Sequence, residues 1–320
     1  MHGWIILDKP LGLGSTQAVS AVKRAFRQGG YGKVKVGHGG TLDPLATGVL
    51  PIAIGEATKL AGRMLDASKV YDFTVEFGAQ TDTLDLEGAV IAEDDVRPTL
   101  DAVEAVLPLF TGSIEQVPPA YSALKIDGVR AFDLARAGKD VVLAMRSVTV
   151  HSLHCRHAEL VSASTHEPGQ PLVTEGWTLK QVQGDGLKAI TLSANVSKGT
   201  YIRSLARDIA LALGTVGHVT MLRRTRAGPF GLADAISLDK LDEAAKCGAL
   251  EALLRPIEAG LDGIPALPLA PDQAVALRQG RVLSGIAVSD GLYLAKLGET
   301  PVALIEAKDR KVRVERGFNL

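Results

Sequence analysis

Between Gly37 and Ile52 the chain reads GHGGTLDPLATGVLPI, with a single carboxylate, Asp43, directly before a proline. An Asp-Pro pair alone is an ordinary turn initiator, because the residue before proline is pushed toward extended geometry and an Asp side chain bonds its own backbone. The surroundings add to that reading. Glycines 37, 39, 40 and 48 let another backbone or a ligand approach closely, and His38 and Thr41 bring polar groups to the carboxylate. The sequence then returns at once to apolar residues, so the loop is pinned between buried elements. A carboxylate held this way can serve as a nucleophile or a general base.

A second candidate is Arg203, early in the stretch SKGTYIRS. Positive charge is disfavoured near a helix N-terminus, so an arginine there is either holding an acid or solvated at the surface. Tyr71 and Tyr201 are core aromatics by default, with hydroxyls that need partners when buried. Other chemistries find less support. The glycine-rich loop lacks the Gly-Lys-Ser/Thr ending of a phosphate-binding P-loop, and no G-x-G-x-x-G follows a strand and opens a helix, which disfavours nucleotide-dependent chemistry. The stretch HSLHCRH (His151, His154, Cys155, His157) has no spacing shared with zinc sites, and Cys155 and Cys247 are too few for a disulfide framework. No metal and no cofactor are expected.

Several elements must position these residues. GWIIL reads as a buried strand that leaves into a loop at Asp8, Lys9 and Pro10, and Ser15 or Thr16 caps a helix with Ala18, Val19, Val22 and Phe26 inward. RQGGYGKVKVGHGG reads as a flexible connector. In KVYDFTVEFG the alternation of Tyr71, Phe73, Val75 and Phe77 marks a strand with one buried face, which sends Tyr71 toward the core. Thr99 caps a helix over PTLDAVEAVLPLF, AFDLARAG forms a short helix closed by Gly138, and AITLSANV alternates as a strand into a Ser-capped helix over SKGTYIRSLARDIALALG. Strands and helices alternate without regular spacing, which points to α+β.

The chain has 320 residues, 46% hydrophobic and 22% charged, enough to bury a sizeable core. No stretch approaches the roughly 18 apolar residues of a membrane span, and MHGWIILDKP lacks the marks of a secretory signal. A cytoplasmic monomer with no membrane partner is expected. Net charge is −1, yet from Lys9 to Arg63 eight basic residues face only Asp43 and Glu56. A segregated basic face of that kind suits a phosphate backbone.

Five ordered stretches, DKPLGLGSTQAV, GHGGTLDPLATGVLPIAIGEATKL, YDFTVEFGAQTDTLDLEG, PPAYSALKIDGVRAFDLARAG and SKGTYIRSLARDIALALGTVGHVTMLRRTRAGPF, resemble the bacterial tRNA pseudouridine synthases of the TruB family. The resemblance runs from about Ile5 to Leu241. It implies an enzyme that isomerises the T-loop uridine at tRNA position 55 to pseudouridine, with tRNA (its T arm) as partner. It further implies that Asp43 is the catalytic carboxylate, that Arg203 is its ion-pair partner, and that Tyr71 stacks on the target base and helps in the later proton removal. Lys9, Pro10, Tyr201 and Leu222 would line and support the pocket, with His38 near the extruded base and Thr41 beside the carboxylate. Lys23, Arg24, Arg27, Lys33, Lys35, Arg223, Arg224 and Arg226 are the expected phosphate contacts.

The expected fold is a catalytic domain over residues 1–245, a mainly antiparallel mixed sheet with flanking helices. A linker over 246–264 and a small, mostly β, PUA-like RNA-binding domain over 265–320 would follow. Residues 158–187, polar and without periodicity, form an expected surface insertion without a family counterpart. Gly39 is a second departure, since the family usually carries Thr or another residue there. Two other readings compete: an RNA-binding module that needs the basic face but not Asp43, and a glycosidase-like hydrolase that needs a second carboxylate about 5 to 9 Å away. For that hydrolase Asp82 and Asp85 are the nearby candidates, although QTDTLDLEG looks more like a turn.

Overall fold

The computed structural model describes residues 1–156 and 186–320. Apart from Gly186 and Leu187, the expected insertion over 158–187 lies outside the described residues, as does His157. The chain folds into two compact units, Met1–Ala67 with Thr225–Leu320, and Ser68–Arg224.

In chain order the first segment holds β1 (Gly3–Lys9), α1 (Ser15–Gln28), β2 (Val36–His38), β3 (Ala46–Ile54) and α2 (Ala61–Asp66). The second unit holds β4 (Lys69–Phe77), β5 (Ala79–Thr81), β6 (Val90–Glu93), α3 (Leu100–Val106), β7 (Gly112–Gln116), β8 (Lys125–Ile126), β9 (Val129–Arg130), α4 (Ala131–Arg136), β10 (Arg146–Cys155), β11 (Ala189–Val196) and α5 (Ile202–Ala212). After β12 (Gly217–Ala227) come β13 (Phe230–Gly231), α6 (Leu238–Lys246), β14 (Ala266–Pro268), α7 (Pro271–Arg278), β15 (Leu283–Ser284), β16 (Gly291–Leu297), β17 (Thr300–Lys308) and β18 (Lys311–Gly317).

In the first unit β1 runs antiparallel to β3, from Gly3 opposite Ile54 to Lys9 opposite Gly48. Trp4, Ile5, Ile6 and Leu7 are all buried, as a continuous apolar run requires. β2 adds to β3 with His38 opposite Ile52, so part of the expected connector is a strand. Three consecutive residues suffice because β3 supplies the ladder, and periodicity over so short a run carries no signal. The Trp4 indole donates to the Ile257 carbonyl at 3.1 Å, and its ring lies 5.7 Å from that of Phe230. The five strands β14-β16-β17-β18-β15 form a separate sheet. Its Leu294 and Leu304, with Phe318 beyond β18, share one core cluster with Trp4, Ile6 and Met64.

In the second unit β4, β11, β10 and β7 form an antiparallel run, with Tyr71 opposite Ala194 and Arg146 opposite Gln116. Phe73, Val75 and Phe77 are buried against the apolar side of α5, through Ile202, Leu205 and Ile209. Tyr71 packs half-buried on the same cluster, as the alternation predicts. Asp72, on the other face, is also buried and is covered by an ion pair with Arg156. Thr99 accepts from the Ala102 amide and caps α3, and Gly138, at φ 70°, follows α4. Among the described residues no helix is long and apolar enough to cross a membrane.

Candidate active site

The first unit carries Lys9, Pro10, His38, Thr41 and Asp43. Asp43 is half-buried, and the residues on either side of it are gripped from the segment after β1. On one side, the Leu42 amide donates to Ser15 Oγ at 2.8 Å while Ser15 Oγ donates to the Leu42 carbonyl at 2.9 Å. On the other, the Pro44 carbonyl accepts from the Gly12 amide at 2.9 Å and from Lys9 Nζ at 3.2 Å. Lys9 is completely buried, and its ammonium also donates to the carbonyls of Leu13 at 2.6 Å and Pro10 at 3.0 Å. Three carbonyls satisfy the three donors of the ammonium, which is the condition for burying it. The Ala46 amide closes the turn on the Asp43 carbonyl at 3.0 Å.

Ser15 is therefore not the helix cap expected from its type. It is the first residue of α1, and the cap is Gly14, whose amide donates to the Gln17 side chain at 2.7 Å. Its hydroxyl is committed to Leu42, a use that local sequence does not reveal. His38 Nδ1 lies 3.4 Å from the Gly40 amide, a long contact, and Thr41 and Pro10 are exposed. Gly39 is buried, and a Cβ there would lie 2.6 Å from Met64 Cβ in α2. Glycine at this position is what allows α2 so close to the loop.

The second unit carries Tyr71, Tyr201, Arg203 and Leu222. The helix α5 begins at Ile202 with Tyr201 as its cap, not at the serine of SKGTY. Ser197 Oγ instead accepts from the Thr149 amide at 2.9 Å, and Thr200 closes a turn on the Ser197 carbonyl at 3.0 Å. Arg203 therefore stands in the first turn. It is 6% exposed and pairs with Asp85 at 3.3 Å, while its guanidinium donates to the carbonyls of Thr83 at 2.8 Å and Tyr121 at 3.0 Å. An arginine at a helix start is thus holding an acid, and the fork spreads over three acceptors in a way that a lysine cannot copy. Leu222 packs half-buried on the same cluster as Tyr71.

Asp85 also accepts from Thr83 Oγ1 at 2.6 Å and from the Glu87 amide at 3.0 Å, the bonding of an Asx turn. Asp82 accepts from the Tyr121 hydroxyl at 3.0 Å, and that bond raises the tyrosine pKa above its ordinary value. His151 and His154 are exposed on β10, Cys155 packs half-buried against the core cluster of Phe73 and Leu192, and burial pushes the Cys155 thiol up. Among the described residues no group of three or more His, Cys, Asp or Glu side chains converges as metal ligands do. Of the expected phosphate contacts, Lys23, Arg24, Arg27, Lys33, Lys35 and Arg226 are exposed. Arg224 is not: at 1% exposure it belongs to the interior, because it faces inward on the alternating strand β12. Sequence reasoning missed Asp85 as an acid that Arg203 holds and gave Gln116 no role. The glutamine directly before VPPAY, in a stretch the resemblance includes only from its prolines onward, was the available signal.

Residues 26–202 match the family model described as TruB family pseudouridylate synthase (N terminal domain), and residues 203–262 match the tRNA pseudouridylate synthase B C-terminal domain. The protein named tRNA pseudouridine synthase B in Novosphingobium aromaticivorans is 61% identical over 320 residues, covering 100% of this chain and 98% of the relative. Its namesake in Zymomonas mobilis is 55% identical over 319 residues, covering 100% and 96%. Among solved structures, a chain in the crystal structure of a Cbf5-Nop10-Gar1 complex matches with a TM-score of 0.69 at 26% identity, covering 99% of this chain and 85% of that one. A chain from an H/ACA RNP bound to a substrate RNA containing 2'-deoxyuridine shares the fold, with a TM-score of 0.69 at 24% identity over 99% and 85%. The chain belongs to the TruB family of pseudouridylate synthases.

Proposed function

We propose that this enzyme isomerises the T-loop uridine at tRNA position 55 to pseudouridine, in the cytoplasm, with Asp43 as the catalytic carboxylate. The reaction breaks the N1–C1' glycosidic bond, turns the uracil within the site, and rejoins it through C5. N1 gains a proton and C5 loses one, so the change is an isomerisation that consumes no co-reactant. It calls for a carboxylate at the sugar, as nucleophile on C1' or as base toward C2'. One carboxylate suffices, because the uracil stays bound and no water is activated.

The observation that carries this reading is the grip on Asp43. Ser15 fixes the residue before it, and Lys9 and Gly12 fix the residue after it. A nucleophile or base gains from such fixing, because orientation is prepaid. Arg203 supplies a fixed positive charge, and Tyr71 and Leu222 offer the aromatic and apolar faces that a flipped base requires. Pro10, His38, Thr41 and Tyr201 are the further residues assigned to substrate binding. Lys23, Arg24 and Arg27 on α1 are exposed for phosphate contact, with the shape of the T arm supplying selectivity. The sheet β14–β18 serves as a PUA-like RNA-binding module.

The test is tritium release from tRNA transcripts carrying uridine labelled at C5. Release that depends on both Asp43 and the T-loop uridine is expected. Tight tRNA binding with no release by the wild type would leave a binding module, and free uracil in place of an isomer would mark a hydrolase.

A further inference from the structure

Gln116, the last residue of β7, is 1% exposed and has no role in the reading above. Its carboxamide meets the backbone of Tyr201 twice. The Tyr201 amide donates to Oε1 at 2.8 Å, and Nε2 donates to the Tyr201 carbonyl at 3.1 Å. The two bonds fix the amide orientation, since the backbone N–H needs an acceptor and the carbonyl a donor. One side chain thereby pairs with a peptide unit as a neighbouring strand would.

Tyr201 is the cap residue of α5, and its own side chain makes no capping hydrogen bond. Gln116 does from β7 what the acidic residue of a capping box does from within a helix: it holds the amide of the cap. Arg146, directly opposite Gln116 across β7 and β10, lies 5.9 Å from the centre of the Tyr201 ring. The same strand end thus holds both the backbone and the ring of Tyr201. Further along α5, Ser204 Oγ donates to the Val117 carbonyl at 2.9 Å. That bond secures the body of the helix. The Gln116 bonds secure its first peptide, two residues before Arg203.

We infer that Gln116 is a positioning residue for this enzyme's reaction, setting Tyr201 and the first turn of α5 so that Arg203 is aimed; this rests on the function proposed above. A loosened cap lets the first turn rotate while the rest of α5 stays packed, and a displacement of about 1 Å at a reacting group costs on the order of 100-fold in rate.

The experiment uses the full chain and C5-tritiated tRNA under single-turnover conditions with enzyme in excess, together with filter binding of tRNA and thermal unfolding. Gln116→Met fills the volume and removes both bonds. Its rate should fall by about 10- to 100-fold while tRNA affinity stays within about threefold. Gln116→Asn, one methylene short, should show a smaller loss of the same kind, and it serves where the Met variant does not fold. Ser204→Ala, which unties the same helix from the same segment, should lower the melting temperature and leave the rate within about threefold. A folded Gln116 variant with wild-type rate overturns the inference, as does a rate loss matched by Ser204→Ala or by an equal loss of tRNA binding. Asp43→Ala and Arg203→Ala run alongside. If they retain release, the proposed function fails; if they abolish it while folded Gln116→Met keeps the wild-type rate, this inference alone fails.

Discussion

Asp43 sits in a loop whose two neighbours are gripped by side chains from residues 9 and 15, at chain separations of 35 and 27 residues. Arg203 sits on a helix whose grip comes from residues 83, 116, 117 and 121, at separations of 82 to 120 residues. In the first case the bonds hold the backbone on both sides of the residue. In the second the side chain itself is part of the scaffold, since its guanidinium ties two carbonyls and Asp85 together. A group that supplies charge can carry structural bonds as well, and its loss should then be felt in folding as much as in rate.

That distinction predicts the largest effect at Arg203. Arg203→Ala leaves Asp85 buried beside two abandoned carbonyls, and breaking a buried pair by removing one partner costs about 3–5 kcal/mol. Chemical denaturation should show that loss together with abolished tritium release. Asp43→Ala should abolish release with a smaller loss of stability, because the bonds that hold its loop run through the backbone of Leu42 and Pro44 and outlast the substitution. If both variants lost stability equally, the contrast between the two regions would be void.

Lys9→Met comes next. It keeps most of the buried volume but leaves the Pro10, Leu13 and Pro44 carbonyls without their shared donor, each worth roughly 1–3 kcal/mol when unsatisfied. The expected loss is about 3 kcal/mol in all, softened because Pro44 keeps the Gly12 amide. Release at saturating tRNA should fall as well, because the residue after Asp43 loses one of its two holds. A stable Lys9→Met variant with full rate would show that the loop is rigid without its lysine.

The two regions also differ in how far the chain announces them. The glycines, the lone carboxylate and the return to apolar sequence make the Asp43 loop readable within sixteen residues of GHGGTLDPLATGVLPI. The alternation in β4 likewise places Tyr71 on the core face, because a period of two is a local property. The named partners of Arg203 are set by which loops meet α5, those after β5 and β7, and no local pattern encodes that. The errors have the same origin. Ser15 is a good capping residue by type, but its hydroxyl is claimed by Leu42. The serine of SKGTY caps nothing because the turn around Thr200 delays the helix to Ile202. Arg224 counts as positive charge in composition and as core in space.

Gly39 tests how tightly the Asp43 loop is packed from behind. A Cβ there would meet Met64 Cβ at 2.6 Å, whereas one at Gly37 meets nothing within 4 Å. Gly39→Thr should cost about 1–3 kcal/mol in this chain, the usual range for overpacking. Gly37→Ala should be near neutral, within about 0.5 kcal/mol. Equal melting temperatures for the two variants would mean that α2 yields freely.

Of the side chains that grip the Asp43 loop, Ser15 should show the smaller effect. Ser15→Ala removes one donor and one acceptor from Leu42, and the net value of such bonds is about 1 kcal/mol each. Stability should therefore fall by roughly 1–2 kcal/mol. The rate at saturating tRNA is the sharper reading. Leu42 is itself buried, so its backbone has packing to hold it once the hydroxyl is gone. Lys9, by contrast, holds Pro44, which is exposed. A loss of rate at Ser15 well below that at Lys9 would place the control of Asp43 on its proline side. Equal losses would make the grip symmetric, with neither flank able to hold the carboxylate alone.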